Sequence, residues 1–488
     1  MQADHEVVKR DVKYSRKLKT LSLCLACMVF SLPHSISSAA TAQNNDSSYK
    51  RANHPINVYW GDTHVHTRNS FDGYYRKGIK NFSRAEAYRF ARGESIRLYD
   101  GSEAKLYRPL DFLVLADHAE NMGVYAHTDL GKRLYKKLEL LKKNNDTDGI
   151  KRFYTKVWGE DVLNKKQRQS IWQDVTADAD AYNDPNKFTA FIGYEWTSWG
   201  GAYTPELAKK NLHRVVIFKD AADKANQIIP FANYDSHKPE DLWDFFERYE
   251  AKTKGEVLAI PHNPNLSEGT MFALRDSENK PLTQGYATLR SRWEPLLEVT
   301  QIKGDSETHP LLSATDEFAD FQTRNGWHSD KALTNKALTE DENNNKPYEY
   351  ARSALKLGLA QESTIGVNPF KFGMIGSTDT HGSLAAARED NFIGGEFPSA
   401  TRLTGSNHRS SGGYAGVWAH ENTRESLFAA MKRKETYATT GPRMTVRFFG
   451  GWDFQADDAL HPDLATLGYT KGLPMGSDLT LPPKGKSP

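Results

Sequence analysis

INVYWGDTHVH, Ile56–His66, starts as an apolar, β-branched run and ends in two histidines, His64 and His66; Asp72 follows in the adjoining TRNSFDGY, Thr67–Tyr74. The run reads as a buried strand. An isolated HxH pair is more often incidental than a ligand pair, so the rest of the chain decides its meaning. The same pattern recurs six more times. DFLVLADH ends at Asp117 and His118, FTAFIGYEWT carries Glu195, and NLHRVVIF carries His213 at its start. EVLAIPHN ends near His262, PLLEVTQIKG carries Glu298, and FGMIGSTDTH ends at Asp379 and His381. Helical patterns such as LGKRLYKKLELLKK and PEDLWDFFERYEAK separate several of these runs. Strands alternating with helices predict a parallel sheet, and seven of them suggest a barrel with its chemistry at the strand C-termini.

The chain's 488 residues, 38% hydrophobic and 26% charged, suit one large globular domain or two ordinary ones. Residues 1–42 read as a secretory leader: a basic stretch ending SRKLKT, the apolar LSLCLACMVFSL, then ATA before Gln43. Without the leader's six basic and three acidic residues the balance is 58 basic against 59 acidic. A near-neutral surface gives no electrostatic case for a nucleic-acid or membrane partner. Cys24 and Cys27 both lie in the leader. The mature chain would then be free of cysteine and start near Gln43, periplasmic or secreted. Lipidation at Cys27 and an uncleaved anchor are the alternatives. Any metal site must use histidines and carboxylates.

Each strand end has a bland reading: an edge residue, a turn or a helix cap. Together they are harder to dismiss, because a desolvated Asp, Glu or His needs a partner. A repeated cost of this kind predicts one shared centre of divalent cations, with zinc, manganese or iron suited to these donors.

The order HxH, Asp, DH, Glu, His, PH and DTH resembles the polymerase and histidinol phosphatase (PHP) superfamily of metal-dependent phosphoesterases. VYWGDTHVHT, GYEWTS, NLHRVVIF, GSTDTHG and TYATTGPR resemble its exported, uncharacterised branch, over about residues 56–450. The resemblance implies a distorted (β/α)7 barrel with helical insertions, holding two or three metals at one end. It implies a 43–55 linker before the hydrolase domain at 56–450 and an irregular, truncated tail at 451–488. His64, His66, Glu195 and Asp379 would hold one ion. Glu195 would bridge to a second, completed by His213 and His262. Asp72, His118 and His381 would hold the third. Asp62 and Asp117 are expected to orient ligand imidazoles from behind.

Such cations lower the pKa of bound water, so no side-chain nucleophile is needed for attack on an ester. Glu195 and Asp379 would be catalytic through the ions, together with Arg214, which would also bind an anionic small-molecule ester. Arg290, Arg292, Lys303 and Arg443 are weaker candidates for that task. Asp305, Glu307 and His309, in IKGDSETHP, would shape the substrate or supply an acid. Insertions at 124–187 and 310–368 are expected to build a lid. Trp196, Trp199 and Tyr203 pack as core or stack on a substrate ring. SSGGYAG, at 410–416, lacks the lysine of a phosphate-binding loop. Two other functions stay open: hydrolysis of a carboxylic ester, lactone or sulfate ester, and a non-catalytic periplasmic binding protein.

Overall fold

The computed structural model describes residues 54–75, 82–98, 101–201, 204, 210–324, 339–388 and 410–486. The leader with Cys24 and Cys27, and Tyr203, lie outside them. All seven runs read from the sequence form strands: β1 (Asn57–Val65), β2 (Phe112–Leu115), β3 (Thr189–Trp196), β4 (Arg214–Phe218), β5 (Val257–Pro261), β6 (Leu296–Gln301) and β7 (Gly373–Gly376). Two more strands of the main sheet follow, β8 (Tyr414–Ala419) and β9 (Thr436–Thr439). β8 arises from the stretch weighed above only as a phosphate loop.

The fold is mixed α/β, with a curled, half-barrel sheet of seven strands in the order β9-β8-β1-β2-β3-β4-β5. β6 and β7 pair in a separate small sheet. Isolated parallel bridges, Val65 to Thr380 and His262 to Glu298, join the two sheets at one end. The expected all-parallel arrangement does not hold. β1, β2 and β3 run parallel, whereas β4 is antiparallel to both β3 and β5, and β8 is antiparallel to both β1 and β9. The reversal at β4 explains why His213 stands at the start of its strand. An antiparallel strand brings its first residue to the end where its neighbours finish.

Alternation along the strands divides their side chains between two layers. Phe112, Val114, Phe191, Val215, Ile217, Leu258, Ile260, Leu296, Ile375 and Val417 form one fully buried cluster inside the curve. α8 (Arg424–Lys432) adds Leu427, Phe428 and Met431 to it. The alternate residues, such as Leu113, Leu115, Ile192, Tyr194, Val216 and Phe218, face outward. They pack under helices α2 (Asp129–Lys143), α3 (Thr147–Gly159), α4 (Lys165–Tyr182) and α5 (Pro239–Thr253), through residues that include Leu138, Val157, Trp172 and Trp243. Each large aliphatic side chain buried this way contributes about 2 kcal/mol. Gly61 lets β1 and β2 close on each other: a Cβ there would meet the Phe112 ring at 2.3 Å.

α2, α3 and α4 occupy the 124–187 insertion, with side-chain caps from Thr128, Asp146 and Asn164 at their starts. In the second insertion, α7 (Ala351–Ile365) follows the polar stretch, after α6 (Gln284–Trp293). The tail read as irregular carries a helix at Leu464–Lys471, capped by the Asp463 side chain, and a short ladder between Phe449–Gly450 and Leu473–Pro474. The cap supplies the start signal that its turn-rich composition obscures. No described helix is long and apolar enough to cross a membrane.

Candidate metal centre

Extending the inward alternation past the apolar layer reaches the rim at the bridged end. After Ile260 comes His262, after Phe191 and Gly193 comes Glu195, and before Val215 comes His213. After Val114 and Ala116 comes His118, and after Leu296 comes Glu298. The register between β1 and β2 shifts between Asp62 and Val65, the kind of irregularity that re-aims side chains at a site. His64 lies within it and His66 just beyond, both fully buried.

The structure brings together all nine residues assigned to metals above. His64 Nε2 and His66 Nε2 are 3.1 Å apart. His66 Nε2 lies 3.2 Å from both Glu195 Oε2 and Asp379 Oδ1, and His64 Nε2 lies 3.7 and 3.5 Å from them. Glu195 turns its other oxygen, Oε1, to His213 Nδ1 at 2.7 Å and His262 Nε2 at 2.9 Å. Asp72, on the short helix α1 (Phe71–Tyr75), reaches His381 Nε2 at 2.8 Å and His118 Nε2 at 3.4 Å. Converging donors form the groups His66, Asp72, His118, His381; His64, Glu195, His262; and His64, His66, Asp379. His66 thus stands between two groups. It serves the third group as well as the first, a sharing that the sequence assignment did not contain.

The residues behind the donors differ in part from those expected. His64 Nδ1 faces both oxygens of Glu298, at 3.1 and 3.2 Å. His66 Nδ1 meets Ser70 Oγ at 2.8 Å, and Ser70 Oγ donates to Asp117. His118 Nδ1 is 2.6 Å from Thr197 Oγ1. Asp117 therefore acts on His66 through Ser70, while also accepting from Thr67 N and Oγ1. Asp62 touches no imidazole. It accepts from His64 N and from Thr378 N and Oγ1, tying β1 to the loop that carries Asp379. Glu298 does for His64 what was expected of Asp62. It was visible in the sequence as the inward residue of its strand.

Charge balances only within the cluster. Burial pushes His64 and His118 down, and facing carboxylates, Asp379 for His64 and Glu195 for His118, outweigh it and lift both well above the usual histidine range. Burial pushes Glu195, Asp72 and Asp379 up, and the imidazoles outweigh it, holding all three well below theirs. Burial lowers His213 to about 4 and His381 to about 3. Protons on imidazoles and divalent cations compete for the same positions.

The donor set fits a cation. When His64 donates from Nδ1 to Glu298 and His66 donates from Nδ1 to Ser70, both Nε2 atoms point lone pairs at each other across 3.1 Å. Glu195 Oε2 and Asp379 Oδ1 converge there; His118 Nδ1 also lies 2.9 Å from Glu195 Oε2, whereas Asp379 Oδ1 is buried without a hydrogen bond. His213 Nε2 and His262 Nδ1 are likewise buried without one. Uncompensated, such a cluster costs several kcal/mol for each ion. Asp379 also holds left-handed backbone, φ 51°, a strained state worth about 1–3 kcal/mol that collects at functional sites.

Other expectations fall elsewhere. Arg214 is not at the rim. It is the outward residue after His213, and its Nε donates to Glu294 at 3.0 Å beneath the outer helices. Arg290 reaches Glu294, Arg292 reaches Glu250, and Arg443 donates to the carbonyls of Pro109 and Arg108. Lys303 does contact a candidate ligand, Asp379. Asp305 accepts from Glu307 N, and the Glu307 carboxylate takes Nε and Nη2 of Arg352 on α7. His309 is buried with its ring beside Tyr350. The structure thus gives these three loop-fixing partners. Trp196 is buried and donates to Ser236 O. Trp199 lies edge-on to His213, and Trp158 of α3 lies edge-on to His118, so the first insertion walls the cluster.

Fold and rim together define a mixed α/β protein with a histidine- and carboxylate-rich candidate metal centre. The chain belongs to the family described as "Protein of unknown function (DUF3604)", matched over residues 53–488. No curated protein matches it. A solved Bacteroides vulgatus ATCC 8482 structure, described as a two-domain protein containing a predicted PHP-like metal-dependent phosphoesterase, is 11% identical with a TM-score of 0.30. The match covers 79% of this chain, which spans 65% of that structure's length.

Proposed function

We propose that the protein is a metal-dependent hydrolase, most directly a phosphoesterase acting on a small anionic ester. The observation that carries this reading is the pair of facing Nε2 atoms, 3.1 Å apart, with two buried carboxylate oxygens, Glu195 Oε2 and Asp379 Oδ1, converging on them. The two oxygens of Glu195 face different histidine sets, which suits a carboxylate shared by two ions. Divalent cations held there supply Lewis acidity and bring the pKa of water near neutrality. The chain's part is to orient the imidazoles through Glu298, Ser70 and Thr197, to hold Asp379 in its strained turn, and to wall out bulk water with Trp158 and Trp199. The same reading takes the two bridged sheets as a distorted (β/α)7 barrel of the PHP type.

Elemental analysis of natively purified protein is the test. Two or three first-row ions per chain are expected, with chelation abolishing hydrolysis of a chromogenic phosphodiester. One ion or none sinks the ligand assignment. Metal-loaded protein that cleaves carboxylic, lactone or sulfate esters in place of phosphoesters keeps the centre and moves the substrate class.

A further inference from the structure

Asp379 gives its two oxygens to different partners. Oδ2 accepts from Gln301 Nε2 at 2.6 Å and from Lys303 Nζ. Gln301 is itself fixed, because Lys303 N–H donates to its Oε1 at 2.6 Å. Oδ1 has no hydrogen bond and faces His66 Nε2 and His64 Nε2 at 3.2 and 3.5 Å. The main chain that carries this carboxylate is held as well: it is left-handed, and His381 Nδ1 lies 3.0 Å from the Asp379 carbonyl oxygen. Gln301 and Lys303 are both buried.

We propose that Lys303 and Gln301 are positioning residues that restrict Asp379 to ligation through one oxygen, keeping a coordination position open for water and substrate. The inference rests on the reading that His64, His66, Glu195 and Asp379 hold a divalent cation. A carboxylate with both oxygens free can chelate an ion and fill that position. Two donors on Oδ2 prevent this. The ammonium also draws charge from Oδ1, so the arrangement gives up some affinity for the ion in exchange for an open site. The consequence runs against intuition. Removing Lys303 tightens metal binding and lowers turnover, whereas removing a lysine that merely supports the fold weakens metal binding.

Cobalt(II) titration of the metal-free protein tests this, with visible absorption per bound ion and chelator competition as readouts. Wild type is expected to give the strong bands of a four- or five-coordinate ion. Lys303→Met should give weaker bands, because chelation raises the coordination number. Its cobalt Kd should fall at least about threefold as the neighbouring positive charge is lost. Its kcat should fall about tenfold or more, the scale on which residues behind metal ligands act. Lys303→Arg, which keeps charge and donors, should restore the wild-type spectrum. Gln301→Met should move the bands in the same direction as Lys303→Met by a smaller step, and serves if the lysine variant does not fold. An unchanged spectrum and Kd in the folded variants, or weaker cobalt binding, overturns the inference while leaving the metal centre intact. Failure of the wild-type protein to take up cobalt removes the metal reading itself and this inference with it.

Discussion

His213 and Arg214 are adjacent in the chain and both buried, but they belong to opposite kinds of charged cluster. Arg214 turns outward. Its partner Glu294 also receives Trp243 Nε1 at 3.1 Å and has Arg290 Nε at 3.2 Å, so that carboxylate is balanced by protein cations. His213 turns inward, to Glu195, where imidazoles and carboxylates converge with oxygens and nitrogens left over. One cluster is complete in protein charges; the other gathers donors that a bound cation would complete. The difference teaches that burial and charge alone do not mark a site; several metal-competent donors converging on one point do. Four substitutions break or sharpen the contrast.

Glu195→Gln strikes the incomplete cluster at its centre and should have the largest effect. Losing the charge shared by two histidine sets should release metal and lower phosphodiester turnover at least ~100-fold. The melting temperature should fall more in metal-loaded than in metal-free protein. Metal content and hydrolysis near wild type would remove Glu195 from the site.

Arg214→Met strikes the complete cluster. It leaves Glu294 short of a cation and should cost about 3 kcal/mol of stability, read by urea unfolding, with metal content unchanged. Replacing Arg214 and Glu294 together by leucine should return most of that loss. A drop in metal stoichiometry in Arg214→Met would return the arginine to the rim.

Glu298→Gln tests the layer behind the donors. It keeps the shape but weakens the acceptor that fixes the His64 tautomer, so metal affinity should fall about tenfold with the fold intact. Chelator competition measures it, and unchanged affinity would make Glu298 a bystander.

The effect most remote from activity concerns a buried carboxyl of a third kind, Asp305, which burial pushes up to about 7 from 3.8. The unfolded chain releases this proton first, so Asp305 lowers stability as pH rises from about 4 to about 7, with no further change above. Asp305→Asn lacks that decline. Its stability relative to wild type should rise by about 4 kcal/mol between pH 4 and pH 8. A flat difference across that range would show a carboxyl ionised in the fold.

Much of this was legible beforehand. The runs ending at His66, His118, Glu195, His262 and Asp379 each combine strand-forming residues with a donor at the rim, and all form strands. Inward alternation also pointed to Glu298 and excluded Arg214, because a period of two places neighbours on opposite faces. The position of His213 at the start of its run likewise signalled a reversed strand.

What the sequence by itself determined was the set of strands and the chemistry of their ends, since both follow from local periodicity and residue type. Tertiary structure alone decided that β4 runs antiparallel, that β6 and β7 leave the main sheet, and that His66 stands between two donor groups. It alone set Lys303 and Gln301 on one oxygen of Asp379. These depend on which distant segments meet, and meetings such as Asp62 with Thr378 or Lys303 with Asp379 are set by packing of the whole chain, which no local pattern encodes.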